Sequence, residues 1–337
     1  IELVQQRLRE IAYLGWRNWW IEPAFWDIKG KLAGKPVCEL LGGAPCAVRV
    51  YASTGEVKEP AARIEEVEAR LAEGFATVKL RVHDDDERAD IRQVVETAKA
   101  VGGRGRLAVD ANQGWRVTIV ADAPRWDLAR AQRFAAACAE VGVAWIEEPL
   151  PMDAYDELAA LTAASAVPIA GGELHSSGYP ELAMMIERRC YHVFQPDAVF
   201  TGGIAQTWKV IGACRAHGLG YSPHTWTNGI GFAVNLQLFA ASGFAAEREL
   251  EYPLAPPGWT VEARDGILAE PFAHDRGRLQ VSTRPGLGFE INRRALARWG
   301  RRFSVMDRRR LVYFSLRTRG IAASREIDRV RKARLRN

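Results

Sequence analysis

The sequence of 337 residues has no apolar run long enough to cross a bilayer, which takes about 18 residues, and this excludes a transmembrane helix. Its start also lacks the basic, apolar and small-residue segments of a secretory signal, so we expect a cytoplasmic protein. Only five cysteines occur, and none forms a CxxC pair. An odd number without that spacing argues against a disulfide framework or a zinc ribbon and favours reduced, buried thiols.

Lysine is scarce, because eight lysines stand against 38 arginines in a chain of formal net charge +5. The charge is uneven: residues 293–337 hold 16 Lys or Arg and three Asp or Glu, a local +13, which leaves 5 − 13 = −8 for the rest. A basic tail can bind nucleic acid, but no zinc-finger, RNP or GxxG pattern accompanies it. We expect a solvated tail over 299–337 and neither a nucleic-acid nor a membrane partner.

A repeating pattern begins near residue 48, in which a short β-rich run is followed by an alanine-rich segment with apolar residues three and four apart. The helical candidates include RIEEVEARLAEG, RADIRQVVETAKAVG and DLARAQRFAAACAEVG. The β-rich runs are VRVYAS (48–53), ATVKLRV (76–82), RLAVDAN (106–112), VAWIEEP (143–149), VPIAGGE (167–173), HVFQPDA (192–198), LGYSPHT (219–225) and RELEY (248–252).

Eight strands that alternate with helices predict an α/β fold of the TIM-barrel type. An open doubly wound sheet is the alternative, although no GxGxxG follows the first strand. Two helical segments, IELVQQRLREIA and IEPAFWDIKGKLAG, precede the barrel, and LLGG (40–43) stops a helix. Short strand-like pieces follow the Pro/Gly-rich PLAPPGW. We expect an accessory domain built from both ends of the chain.

Carboxylates fall at the predicted carboxyl ends of consecutive strands, where barrel active sites lie. These are Asp110, Glu147 and Glu173. Three converging negative charges repel one another unless a cation lies between them, and all-oxygen ligation suits Mg²⁺. The alternative for each acid is a solvated loop residue or a helix N-cap.

Two further strand ends supply Asp197 and His224. A carboxylate bonded to an imidazole fixes the tautomer of the ring and raises its basicity, which predicts a general base. Strand alternation places Lys79 and Arg81 on one face. Arg81 keeps its charge at any working pH and can bind a carboxylate but not accept a proton. A structural ion pair with the strand-end acids is the alternative for both.

The chain resembles members of the enolase superfamily, in the mandelate racemase-like subgroup. The matching segments run in family order over about residues 20–290. They are EPAFWDIKGKLAGKPVCELLGG, VKLRV, VDANQGW, WIEEP, AGGE, QPDAVFTGGI, SPHTW and LEYP.

The resemblance implies a (β/α)₇β barrel with an α+β capping domain, divided into 1–47 (partial N-terminal cap), 48–255 (barrel), 256–298 (return to the cap) and 299–337 (tail). It implies one Mg²⁺ held by Asp110, Glu147 and Glu173, and a dyad of His224 and Asp197. The other implied site residues are Lys79 and Arg81 at the K-x-K position and Glu251, which bonds the substrate.

The family acts mostly on sugar acids, and many members are dehydratases. We therefore predict a hydro-lyase that removes the α-proton of an aldonate or aldarate and eliminates the β-hydroxyl. We expect Asn112, Thr54 and Trp226 to line the pocket, and a homo-oligomer. Arg81 replaces the second lysine base of racemases, which disfavours the alternative of a 2-hydroxy acid racemase or epimerase. A non-catalytic sugar-acid binder is the other alternative.

Three departures from the family pattern stand out. The chain starts inside the capping domain, so we expect the N-terminal part of that domain to be incomplete. The interval from Asp110 to Glu147 is 147 − 110 = 37 residues, longer than the common unit, and contains an insertion, VADAPRWD. The tail after about Trp299 has no counterpart in the family.

Overall fold

The computed structural model describes residues 1–115, 125–254, 260–301 and 307–334. It divides the chain into two compact units, Ile1–Asn292 and Arg293–Asn337. Most of the insertion VADAPRWD, and the end of PLAPPGW, lie outside the described residues.

The first unit contains a sheet of nine strands. They are β1 (Ala47–Ser53), β2 (Thr77–Arg81), β3 (Arg106–Asp110), β4 (Ile146–Glu147), β5 (Ile169–Gly171), β6 (Val193–Phe194), β7 (Gly220–Tyr221), β8 (Leu250–Pro253) and β9 (Arg278–Gln280).

Helices connect and flank the strands. They are α1 (Glu2–Ala12), α2 (Glu22–Ala33), α3 (Val37–Leu40), α4 (Pro60–Ala72), α5 (Glu87–Val101), α6 (Leu128–Glu140), α7 (Tyr155–Ala164), α8 (Tyr179–Glu187), α9 (Gly203–Ala216), α10 (Gly229–Ala241) and α11 (Val261–Asp265).

Eight strands run parallel in the order β7-β6-β5-β4-β3-β2-β1-β8, so each strand lies beside its neighbour in sequence. The sheet curls until its two ends meet. There, Ser222 Oγ donates to the carbonyl of Glu249 (2.7 Å), and the N–H of Thr225 donates to the carboxylate of Glu251 (2.7 Å). The predicted (β/α)₇β barrel is confirmed, including all eight strand segments.

Side chains along β2 alternate between the apolar layer that packs against the helices and the inside of the barrel. Val78 and Leu80 are buried on one face, toward the helices. Lys79 lies on the other face and is also fully buried. Asp86 caps the start of helix α5, where its carboxylate accepts the N–H of Arg88. The polar end of β2 is therefore held by a close-packed layer of strands and helices.

The predicted N-terminal helices form, as α1 and α2, and α2 is joined to the barrel by Glu22. Its buried carboxylate accepts the N–H groups of Ile204 (2.8 Å) and Ala205 (3.2 Å) at the start of α9. A carboxylate there satisfies N–H groups that a helix cannot pair internally. At the other end of the sequence, β9 pairs antiparallel with β1. Both ends of the first unit thus pack on the barrel.

The second unit consists of α12 (Arg293–Trp299) and α13 (Arg308–Arg334). Gly320 interrupts α13 with a φ of 78°, a conformation that suits glycine. Ser315 Oγ lies 2.8 Å from Ser324 Oγ across this interruption. None of the helices in the described ranges is long and apolar enough to cross a membrane. All five cysteines are free thiols.

Candidate active site

A cavity of about 250 Å³ opens at the carboxyl ends of the parallel strands. Its lining includes most of the residues that the sequence predicts for the site. The predicted residues in the lining are Arg81, Asp110, Asn112, Glu173, His224 and Trp226, and Trp115, Leu174 and Phe200 complete it.

The predicted dyad forms at this cavity. His224 Nδ1 lies 3.0 Å from Asp197 Oδ2. Asp197 is itself held by Asn235, whose Nδ2 donates to Asp197 Oδ1 (2.8 Å) and to the carbonyl of His224 (3.1 Å). With Nδ1 engaged, Nε2 is the nitrogen that faces the acids, and it lies 3.3 Å from Glu173 Oε2. Burial alone would lower the pKa of His224, but Glu173 and the bond to Asp197 raise it to about 10.

The three predicted ligand acids project from neighbouring strands, since Asp110 ends β3, Glu147 ends β4 and Glu173 follows β5. All three side chains are buried. Burial raises the pKa of Glu147 to about 8 and also raises the pKa of Glu173. For Asp110, Lys79 and Arg81 outweigh burial and lower the pKa.

Lys79 lies at the centre of these acids. Its Nζ is 2.6 Å from Glu147, 2.7 Å from Glu251 and 3.3 Å from Asp110, and the side chain has no exposed surface. The ammonium group therefore balances buried carboxylates. Lys79 is absent from the described lining of the cavity.

No three His, Cys, Asp or Glu side chains in the described ranges are grouped so that they could hold a metal ion as they stand. The donor chemistry nevertheless fits a divalent ion. Asp110, Glu147 and Glu173 are buried oxygen donors on consecutive strands, and two of them have raised pKa values. A hard cation that prefers oxygen would stabilise such charges.

Arg81 forms one wall of the cavity. Its guanidinium donates to Asn112 Oδ1, lies 3.6 Å from Asp110 and sits over the ring of Trp226, 5.2 Å from the centroid. The N–H of Asn112 donates to Asp110 Oδ1 (2.9 Å), which the left-handed φ of 47° at Asn112 permits. The predicted pocket positions of Asn112 and Trp226 therefore adjoin both Arg81 and the ligand acids.

Glu251, which the resemblance implies bonds the substrate, has its carboxylate engaged by groups of the protein. Its carboxylate accepts from Ser53 Oγ (2.8 Å), Thr225 N–H (2.7 Å) and Trp226 Nε1 (3.1 Å). Burial favours its neutral form, but Lys79 outweighs this and lowers the pKa of Glu251. Glu251 is thus an ionised acceptor in this arrangement.

Thr54 also lies differently from the expectation that it lines the pocket. Its hydroxyl donates to the carbonyl of Lys79 (2.8 Å) and accepts from Arg63 Nη1 (2.8 Å). The described lining of the cavity does not include it. The hydroxyl of Thr54, the residue that follows β1, therefore points into the protein.

Sequence reasoning missed two residues that support the acids. Gln195 Nε2 donates to Glu147 Oε2 (2.8 Å), and Glu148 is a further buried carboxyl group whose pKa burial raises well above the usual value. A side chain at Gly114 would collide with the carboxyl group of Glu148. Two features of the sequence could have indicated Glu148: the glycine of VDANQGW, which is Gly114, and the two consecutive acids of WIEEP.

The curled parallel sheet with acids and a His–Asp pair at its carboxyl edge defines the class as an α/β barrel with an acid-lined pocket. The chain belongs to the enolase superfamily, because residues 62–295 match the model of the enolase C-terminal domain-like family.

Named relatives agree with this assignment. The chain is 31% identical over 285 residues to D-galactarolactone cycloisomerase of Agrobacterium fabrum, covering 82% of this chain and 71% of the relative. It is 33% identical over 283 residues to L-talarate/galactarate dehydratase of Salmonella typhimurium, covering 83% of this chain and 64% of the relative. The chain thus spans about two thirds of the length of these curated relatives.

Among solved structures, L-talarate dehydratase from Polaromonas sp. JS666, complexed with Mg and L-glucarate, matches with a TM-score of 0.74 and 27% identity. The match covers 89% of this chain and 79% of that one. A putative racemase from Roseobacter denitrificans matches with a TM-score of 0.73 and 27% identity, covering 82% and 75%.

Proposed function

We propose that the protein is a Mg²⁺-dependent hydro-lyase that converts an aldonate or aldarate to a 2-keto-3-deoxy acid. The observation that carries the proposal is the position of His224 in the cavity lining, where Nε2 lies 3.3 Å from Glu173 while Asp197 holds Nδ1. The names of several relatives, which are dehydratases of talarate or galactarate, arabinonate and galactonate, support the substrate class.

Asp110, Glu147 and Glu173 would hold the metal. When bound, Mg²⁺ supplies Lewis-acid polarisation of the substrate carboxylate, which lowers the cost of removing the α-proton. The charge on Glu173 is the first cause that raises the pKa of His224. Sharing that charge with a cation would leave the imidazole closer to its neutral, basic form.

His224 takes the α-proton through Nε2, because Nδ1 is engaged with Asp197. Arg81, whose guanidinium lines the cavity, contributes fixed positive charge toward the ene-diolate that forms on the substrate. The β-hydroxyl then leaves, taking the proton from the imidazolium to depart as water. The enol product tautomerises to the 2-keto acid.

The environment of Lys79 supports elimination over racemisation. Racemisation needs proton exchange on both faces of the α-carbon. Arg81 keeps its proton at working pH, and Lys79 has no exposed surface and contacts three carboxylates. His224 is therefore the one side chain in our mechanism that moves a proton at the α-carbon.

The test is to screen aldonic and aldaric acids with Mg²⁺ in D₂O, following α-deuteration and 2-keto acid formation. The wild type should form 2-keto acid from at least one of them. His224→Asn should abolish product formation, whereas His217→Asn, an exposed histidine, should retain it. Inversion at the α-carbon without 2-keto product would instead identify a racemase or epimerase. Binding of an acid without either change would identify a non-catalytic binder.

A further inference from the structure

A second cavity, of about 110 Å³, lies near the amino-terminal ends of the barrel strands, opposite the candidate active site. Arg106 begins β3, Trp145 precedes β4, and Arg248 and Glu249 precede β8. The salt bridge of Arg106 with Glu249 (2.6 Å) lies at this cavity. Nothing in the proposed mechanism uses this end of the barrel.

Two buried polar atoms of residues that line this cavity find no hydrogen-bond partner within the described part of the chain. They are Trp145 Nε1, a donor, and Gln195 Oε1, an acceptor. Gln195 is only 2% exposed. Leaving a buried donor or acceptor unpaired is unfavourable, so such atoms normally bond to water when space permits. A water needs roughly 10–15 Å³, so this cavity has room for one.

Gln195 connects this cavity to the acids. Its amide has two ends: Oε1 is unpaired, and Nε2 donates to Glu147 Oε2 at 2.8 Å. Lys79 contacts the other oxygen of Glu147 at 2.6 Å. The carboxylate is therefore held from both sides. Trp145 lies two residues before Glu147 in sequence, and its side chain lines the same cavity as Gln195.

We propose that Gln195 is a positioning residue for Glu147, and that a water bonded to Trp145 Nε1 and Gln195 Oε1 fixes the amide in the orientation that donates to Glu147. The water accepts from the indole and donates to the amide oxygen, so both unpaired atoms are satisfied by one molecule. A flipped amide would turn its oxygen toward the carboxylate, where two acceptors repel. This inference rests on the proposed role of Glu147 as a metal ligand.

The test measures Mg²⁺ binding by isothermal titration calorimetry, so it does not depend on turnover. Gln195→Leu should weaken Mg²⁺ binding about 10–100-fold, the usual effect of losing a hydrogen bond to a ligand carboxylate. Gln237→Leu is the matched control, because Gln237 is also fully buried but bonds to Cys38 and Leu287. It should lose stability without losing Mg²⁺ affinity.

A milder variant covers the case in which Gln195→Leu does not fold. Trp145→Phe keeps an aromatic ring against Tyr51, whose ring centroid is 5.0 Å away, and removes only the indole donor. It should weaken Mg²⁺ binding several-fold. Trp126→Phe removes another unpaired indole N–H, at a residue outside the described lining of this cavity, and should not.

A crystal structure of the wild type should show a water within hydrogen-bond distance of both Trp145 Nε1 and Gln195 Oε1. The inference is overturned if Gln195→Leu and Trp145→Phe both bind Mg²⁺ with wild-type affinity while Glu147→Gln loses Mg²⁺ binding. That result would leave the proposed function standing. If the wild type itself binds no Mg²⁺, the proposed function fails and the inference fails with it.

Discussion

His224 Nδ1 and Asp197 Oδ2 lie 3.0 Å apart, and both side chains are buried. This bond decides which ring nitrogen is available to the substrate. Asn235 fixes Asp197 through the other carboxylate oxygen, so the ring orientation is determined by three side chains rather than by two.

Asp197→Asn should lower kcat by about 10²–10⁴, because an amide can donate to Nδ1 and favour the wrong tautomer. Steady-state kinetics on the substrate found by the acid screen would measure this. Asp156→Asn, at a side chain that is 91% exposed, is the control and should keep wild-type kcat. A kcat for Asp197→Asn within twofold of the wild type would remove Asp197 from the mechanism.

Lys79→Met should destabilise the metal-free protein by about 3–5 kcal/mol, since it leaves buried carboxylates without their cation. Urea unfolding in the presence of a chelator would measure the change. Lys35→Met, at an exposed lysine, should be nearly neutral. Equal midpoints for the two variants would mean that Lys79 does not balance the acids.

Gly203→Ala should destabilise the protein by about 1–3 kcal/mol. Gly203 has a φ of 80°, and an added Cβ would lie 2.7 Å from the carboxylate of Glu22. Gly212→Ala lies in the same helix with nothing within 4 Å of its added Cβ, and should stabilise by about 1 kcal/mol. Thermal unfolding would compare them, and shifts of the same sign would contradict the backbone strain and close approach at Gly203.

Asp90 predicts a specific pH dependence of stability. Burial raises its pKa to about 6, above the ordinary 3.8, despite the bond to Arg130 (2.8 Å). The folded state then binds a proton more tightly than the unfolded state, so this contribution is present below pH 3.8 and is lost as pH rises through about 6.

The free energy of unfolding of the wild type should therefore fall relative to that of Asp90→Asn by about 2–3 kcal/mol between pH 4 and pH 7. Comparing the two proteins at each pH removes the contribution of the other acids. Parallel pH profiles would show that folding does not raise the pKa of Asp90.

The barrel and most of the site could be predicted because their signals are local. Each strand is a short β-rich run followed by a helix, and Asp110, Glu147 and Glu173 each close such a run. The ion pairs of Lys79 with Asp110 and Glu147 agree with the alternative that the sequence offered for this lysine. Its contact with Glu251 could not be predicted, because β8 is distant in sequence and only the closed barrel brings it near β2.

Strand alternation also fails where the backbone leaves the strand. Alternation puts Glu148 opposite Glu147, on the face of Ile146, and gives it no place among the acids. In the structure β4 ends at Glu147, and Glu148 has a left-handed φ of 44°. The turn brings its carboxyl group against Gly114 and close enough to Glu173 and Asp110 for their charges to raise its pKa.

The most direct test of the central claim is a crystal structure with Mn²⁺ in place of Mg²⁺, located by anomalous scattering. We predict one peak within about 2.0–2.3 Å of carboxylate oxygens from Asp110, Glu147 and Glu173, on the side of the cavity that Nε2 of His224 faces. A peak that lacks any of these three ligands, or no peak at the strand ends, would contradict the account.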